Sequence, residues 1–126
     1  MSAASMVLTE FGQSLGLTDF RWPDAGMAAF AFDARGTLYL EERDEVLLVY
    51  LVRPLDPHRR SPELLKSALR LCHYRQQWPY VVQAGLQDES QLVFLARLPV
   101  REVTLPELEQ ALDLLTRLHD RCAERA

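Results

Sequence analysis

The sequence predicts an α+β fold, a twisted antiparallel sheet with helices in the order α-βββ-α-ββ-α. Three observations predict it. Apolar residues recur at helical spacing in three separated stretches. Five short segments between them alternate apolar and polar residues or run apolar for a strand's length. The links between consecutive strands are short enough to force antiparallel neighbours. With 126 residues, 48% hydrophobic and 25% charged, the chain has material for one core, and residues 1–126 are expected to form a single domain.

The first apolar pattern is Val7, Leu8, Phe11 and Leu15, with Ser5 as the expected cap and Gly16 as a left-handed stop. Asp19 to Gly26 reads as a turn, with Trp22 extended before Pro23. Met27 to Asp33 alternates around Phe30 and Phe32, and Asp33-Ala34-Arg35-Gly36 turns the chain. Thr37 to Glu42 carries Leu38 and Leu40 against Thr37, Tyr39 and Glu41. The tight link Arg43-Asp44-Glu45 leads to Val46 through Val52, a strand apolar on both sides, which implies cover on both faces from this chain or a partner.

After Pro54 and Pro57, Ser61 reads as a cap, Pro62 as the first helical residue and Glu63 as an acid in the positive first turn. Leu64, Leu65, Ala68, Leu69, Leu71 and Cys72 give this middle helix a wide apolar surface; Arg70, His73 and Arg75 follow, and Trp78-Pro79 ends it. A hairpin is expected from Tyr80 to Gln87 and from Gln91 to Leu98. Thr104 and Glu107 form a capping box. The last helix turns Leu108, Ala111, Leu112, Leu115, Leu118 and Cys122 inward, with acids early and Arg117, His119, Arg121 and Arg125 late.

The chemistry this sequence lacks narrows its function. A net charge of −4 argues against nucleic acid, which needs a concentrated positive footprint; the Arg53, His58, Arg59 and Arg60 cluster reads as a solvated loop. No apolar run reaches the length of a membrane span, and the Met1–Met6 stretch lacks the features of a secretory signal, so a cytoplasmic location is expected. Cys72 and Cys122 are too few for a disulfide scaffold and read as core thiols. The histidines are far apart and at no ligand spacing, so neither a metal nor another cofactor is expected. Nucleophile elbows, phosphate loops and paired carboxylates on one face are all missing, which points away from an enzyme, although dispersed catalytic residues stay an alternative.

The positive signal is for association. The apolar surface of the middle helix is wider than the roughly 100° stripe that packing on one sheet requires. A self-complementary helix pair across a two-fold axis accounts for the excess.

These residues resemble a family, the class I chaperones of bacterial type III secretion. In local sequence they resemble its SycN-like members, which work with a second chaperone on a secretion gatekeeper. The matching stretches are Phe11 to Leu17, Gly36 to Glu42, Leu48 to Leu55, Ala84-Gly85-Leu86, Gln91 to Phe94 and Leu105 to Leu108. The resemblance implies a homodimer or heterodimer built through the middle helix, here Leu65, Ala68, Leu69, Cys72 and Trp78. It also implies binding of the extended N-terminal segment of a secreted effector or gatekeeper, without nucleotide, so that the cargo stays soluble and competent for secretion. By position the implied groove falls on Leu8, Phe11, Leu15, Leu38, Leu40, Val49 and Leu51, although the same alternation marks each of them first as a core residue. A dimeric α+β scaffold or regulatory domain outside secretion is the competing expectation.

Overall fold

The computed structural model describes residues 3–56, 62–73 and 76–124. The element order is α1 (Ala3–Ser14), β1 (Met27–Phe32), β2 (Gly36–Arg43), β3 (Val46–Pro54), α2 (Pro62–Leu71), β4 (Val82–Gln87), β5 (Gln91–Pro99), a short 3-10 turn (Val100–Glu102) and α3 (Leu105–Glu124). The expected α-βββ-α-ββ-α order is therefore the observed one. The expected cap at Ser61, the cluster His58 to Arg60, and Arg75 and Arg125 lie outside the described residues.

The five strands form one antiparallel sheet in the order β1-β2-β3-β5-β4. The β2–β3 link is a two-residue turn closed by the Arg43–Val46 pair. Both turn residues, Asp44 and Glu45, take positive φ, as the hairpin turn that matches strand twist requires. Strand alternation sends Leu38, Leu40, Leu47, Val49, Leu51, Leu92, Phe94, Ala96 and Leu98 to one side, where they are buried with Leu8 and Phe11 of α1 and Leu108, Leu115 and Leu118 of α3.

α1 starts at Ala3, so Ser5 lies inside the helix rather than capping it. Gly16 does adopt the left-handed conformation expected of a helix stop. Gly12 permits a close approach: a Cβ there would collide with the Phe20 ring, which packs against Phe30 at 5.2 Å.

α2 is shorter than the sequence predicts, ending at Leu71, so Cys72 falls just beyond it and Trp78 well beyond. The indole of Trp78 folds back, and its Nε1–H donates to the Leu71 carbonyl at 2.6 Å, satisfying an acceptor that the helix end leaves open. At α3, Thr104 Oγ1 accepts the Glu107 N–H at 3.3 Å, one half of the expected capping box. β4 begins at Val82 rather than Tyr80, whose hydroxyl instead donates to the Glu107 carbonyl at 3.3 Å. No described helix is long and apolar enough to cross a membrane.

Candidate protein-binding surfaces

Three parts of this fold leave backbone or apolar side chains unused by the core. The first is built on α2. Leu64, Ser67, Ala68 and Leu71 turn inward and are buried, and the Leu64 carbonyl accepts the Cys122 thiol of α3 at 3.4 Å. One helical position further on, Leu65 is 37% exposed and Leu69 65% exposed. Their i, i+4 spacing stacks them on one outward face. Beside α2, Val81 just ahead of β4 is 73% exposed and Leu86 within β4 45%.

This patch sorts the residues expected for a dimer contact. Leu65 and Leu69 point out. Ala68 points in, because it sits one turn on from the buried Leu64 and shares its inward face. Cys72 and Trp78 are half-buried. Burial pushes the Cys72 thiol up to about 11, with the Cys122 thiol adding to the effect, so it stays protonated and unreactive near neutral pH. Trp78 is held at the helix end by its hydrogen bond, with the Arg121 guanidinium 5.5 Å from its ring centre. Val81 and Leu86 were not singled out in the sequence. Their hairpin pattern marks them as strand residues and carries no sign that β4 lies at an edge.

The second part is the edge of β1. β1 and β4 end the sheet, and β1 has the sequence Met27-Ala28-Ala29-Phe30-Ala31-Phe32, without one charged or hydrogen-bonding side chain. Edge strands usually carry charges, prolines or bulges that discourage pairing with another chain. This one carries none.

The third part is the sheet surface opposite the helices. Tyr39, Leu48, Tyr50, Val93 and Leu95 are half-buried and lie outside the core cluster. Tyr39 and Tyr50 stack with ring centres 5.0 Å apart and planes 12° apart. The Tyr50 hydroxyl donates to Glu41 Oε2 at 3.5 Å, and burial followed by the Glu41 charge raises its phenol pKa. The sequence expectation that β3 is covered on both faces is met by this chain fully on one face; on the other, Val52 is buried while Leu48 and Tyr50 are half-buried.

The groove expected from the resemblance does not lie on the surface. Leu8, Phe11, Leu38, Leu40, Val49 and Leu51 are all buried in this chain's own core, and Leu15 packs partly buried against it. The reason is the alternation that singled them out: side chains spaced to share one side of a strand or helix meet each other first. His119, expected to be a helix-end charge, is likewise interior. Its Nε2 bonds the Leu51 carbonyl at 2.8 Å and its ring meets Phe94 edge-on at 4.8 Å. Burial lowers its pKa to about 4, against the opposing pull of the Leu51 carbonyl, so it is neutral and donates through Nε2. Among the described residues no three histidine, cysteine or carboxylate side chains gather as a metal site would need.

Comparison with known proteins agrees with a binding role. The family described as type III secretory system chaperone SycN matches residues 4–123. Chaperone protein SycN of Yersinia enterocolitica serotype O:8 is 34% identical over 118 residues, covering 94% of each chain. Among solved structures, a chain of the Yersinia pestis complex of the chaperone SycH with a stable fragment of YscM2 superposes with a TM-score of 0.65 at 19% identity, covering 98% of this chain and all of that one. A chain of the Pseudomonas aeruginosa ExoU–SpcU complex gives 0.67 at 17% identity, covering 91% and 93%. Those relatives are chaperones rather than enzymes. With nearly its whole length matched, this chain belongs to the SycN family of type III secretion chaperones.

Proposed function

We propose that the chain binds the N-terminal segment of a secreted effector or gatekeeper in extended form, keeps it soluble and competent for secretion, and does so in the cytoplasm without nucleotide. The observation that carries this reading is the outer edge of β1, six residues that pair with β2 on one side, have no strand on the other and carry no charged or polar side chain. An extended segment gains affinity by backbone pairing to such an edge, with alternate side chains supplying selectivity. The similar SycH structure holds a fragment of another protein, in keeping with this reading.

The exposed apolar residues Leu65 and Leu69 of α2, with Val81 and Leu86 at and in β4, are assigned to a second chaperone subunit, identical or related. A helix pair across a two-fold axis uses such a patch twice. The competing scaffold role outside secretion has no observation in its favour here. Co-expression with candidate secreted proteins from the same genome, followed by affinity capture, tests the proposal. Wild type retains the cargo, and Ala29→Lys with Ala31→Lys, which put charge on the edge strand, release it. Capture unchanged by both substitutions contradicts the edge as the binding element.

A further inference from the structure

We infer that Arg53 is a positioning residue for cargo: it ties the β1–β2 turn to α3 and so holds the Phe32 end of β1 in line for an added strand. The inference rests on the reading of the β1 edge as the binding element, and it names the side chain that keeps that edge in shape.

Alternation places Arg53 on the helix-covered side of β3, after Leu47, Val49 and Leu51. One step beyond the Thr37–Val52 pair, the β2–β3 register sets it opposite Gly36, the first residue of β2. Gly36 has no side chain to block it. A Cβ there would collide with the Val52 carbonyl and stand 2.8 Å from Arg53 Cγ, and the φ of +107° is one that favours glycine. The arginine stem can therefore lie against Gly36 and carry its guanidinium to the turn. Its Nε–H donates to the Arg35 carbonyl at 2.7 Å, and its Nη1–H donates to Asp120 Oδ1 of α3 at 2.8 Å. One planar fork thus joins β3, the β1–β2 turn and α3.

Burial decides which contact holds the turn. The Arg53 side chain is only 20% exposed. Arg35 reaches Asp113 of α3 across 3.8 Å with side chains 43% and 67% exposed, and such an open pair contributes little. The other end of β1 is held by backbone, where the Glu42 N–H donates to the Gly26 carbonyl at 2.8 Å. Within the sheet β1 pairs with β2 alone. Its Phe32 end, the last before the turn, therefore depends on what anchors that turn. An extended segment adds only to an edge whose N–H and C=O groups are in line, and affinity falls with the fraction of chains in which they are.

The test reads the isolated chain first and cargo second. In Arg53→Met, which keeps the stem and removes the donors, amide exchange over Ala31–Gly36 is expected to rise at least tenfold and approach that of an unstructured chain. Met27–Phe30 keeps its rate. A secreted protein captured by the wild-type chain, purified and labelled with fluorescein, is expected to bind this variant at least fivefold more weakly. Asp120→Ala repeats both effects, and Asp120→Asn, whose side-chain oxygen still accepts, reverses them. Arg101→Met, which breaks an exposed ion pair beside the β2–β3 turn, changes neither. Unchanged exchange in Arg53→Met overturns the inference, and so does faster exchange with undiminished binding. Asp120→Asn as damaging as Asp120→Ala overturns it too. If Ala29→Lys with Ala31→Lys releases the cargo while Arg53→Met holds it, this inference alone fails and the chaperone proposal stands. If the lysine pair leaves binding at wild-type strength, the edge reading fails and the role of Arg53 falls with it.

Discussion

On the helix-covered side of β3, Leu47, Val49 and Leu51 are fully buried, while on its other side Leu48 and Tyr50 stay half-exposed and only Val52 is buried. The two sets have nearly the same composition. What separates them is which side received helices, and alternation along a strand does not record that choice. α2 repeats the lesson over one helical turn: Leu64 and Ala68 are buried, Leu65 and Leu69 exposed. Surface for a partner is thus the apolar material left over after the core has formed, and the strongest apolar pattern marks the core.

Substitutions break or sharpen that contrast. The largest effect is expected on the covered side, where Leu38→Ala leaves a cavity costing about 2–5 kcal/mol. Urea unfolding measures it, and cargo binding by the remaining folded fraction is unchanged. Gly12→Ala, next in size, forces the Phe20 ring from its place against α1 and destabilises by about 1–3 kcal/mol.

His119 gives the covered side a pH signature. Its folded pKa of about 4 lies below the usual 6.5, so the unfolded chain takes up the proton first as pH falls. Its full stability is present above about 6.5 and is lost between there and 4, by up to about 3 kcal/mol. His119→Gln, which can still donate to the Leu51 carbonyl without titrating, is expected to flatten that stretch of the stability curve.

On the uncovered side stability barely moves. Leu69→Asp changes it by about 0.5 kcal/mol or less, yet sedimentation is expected to show a dimer becoming a monomer. Smallest of all, Lys66→Ala removes an exposed ion pair to Glu63 and costs about 0.3 kcal/mol.

Much of the fold was legible because local rules agreed with it. Pro62 opens α2, Thr104 caps α3, Gly16 stops α1, and short links force the antiparallel sheet. Where the chain departs from expectation, a tertiary contact decides. α2 stops before Cys72 with Trp78 reaching back to its end, and Tyr80 is drawn out of β4 toward α3. The binding surfaces were less legible. Leu65 and Leu69 carried a signal in the width of the helix, but the edge positions of β1 and β4 and the bare face around Tyr50 depend on strand order. That order is set by β5 inserting between β3 and β4, a non-local event.

Hydrogen exchange on the isolated chain and on its complex with a co-expressed secreted protein probes the central claim most directly. The account predicts new protection along Met27–Phe32 while the Leu38, Leu40 and Leu51 amides, in buried paired strands, exchange slowly with and without the partner. A complex that leaves Met27–Phe32 unprotected, or that opens the core and speeds exchange at Leu38 and Leu51, contradicts it.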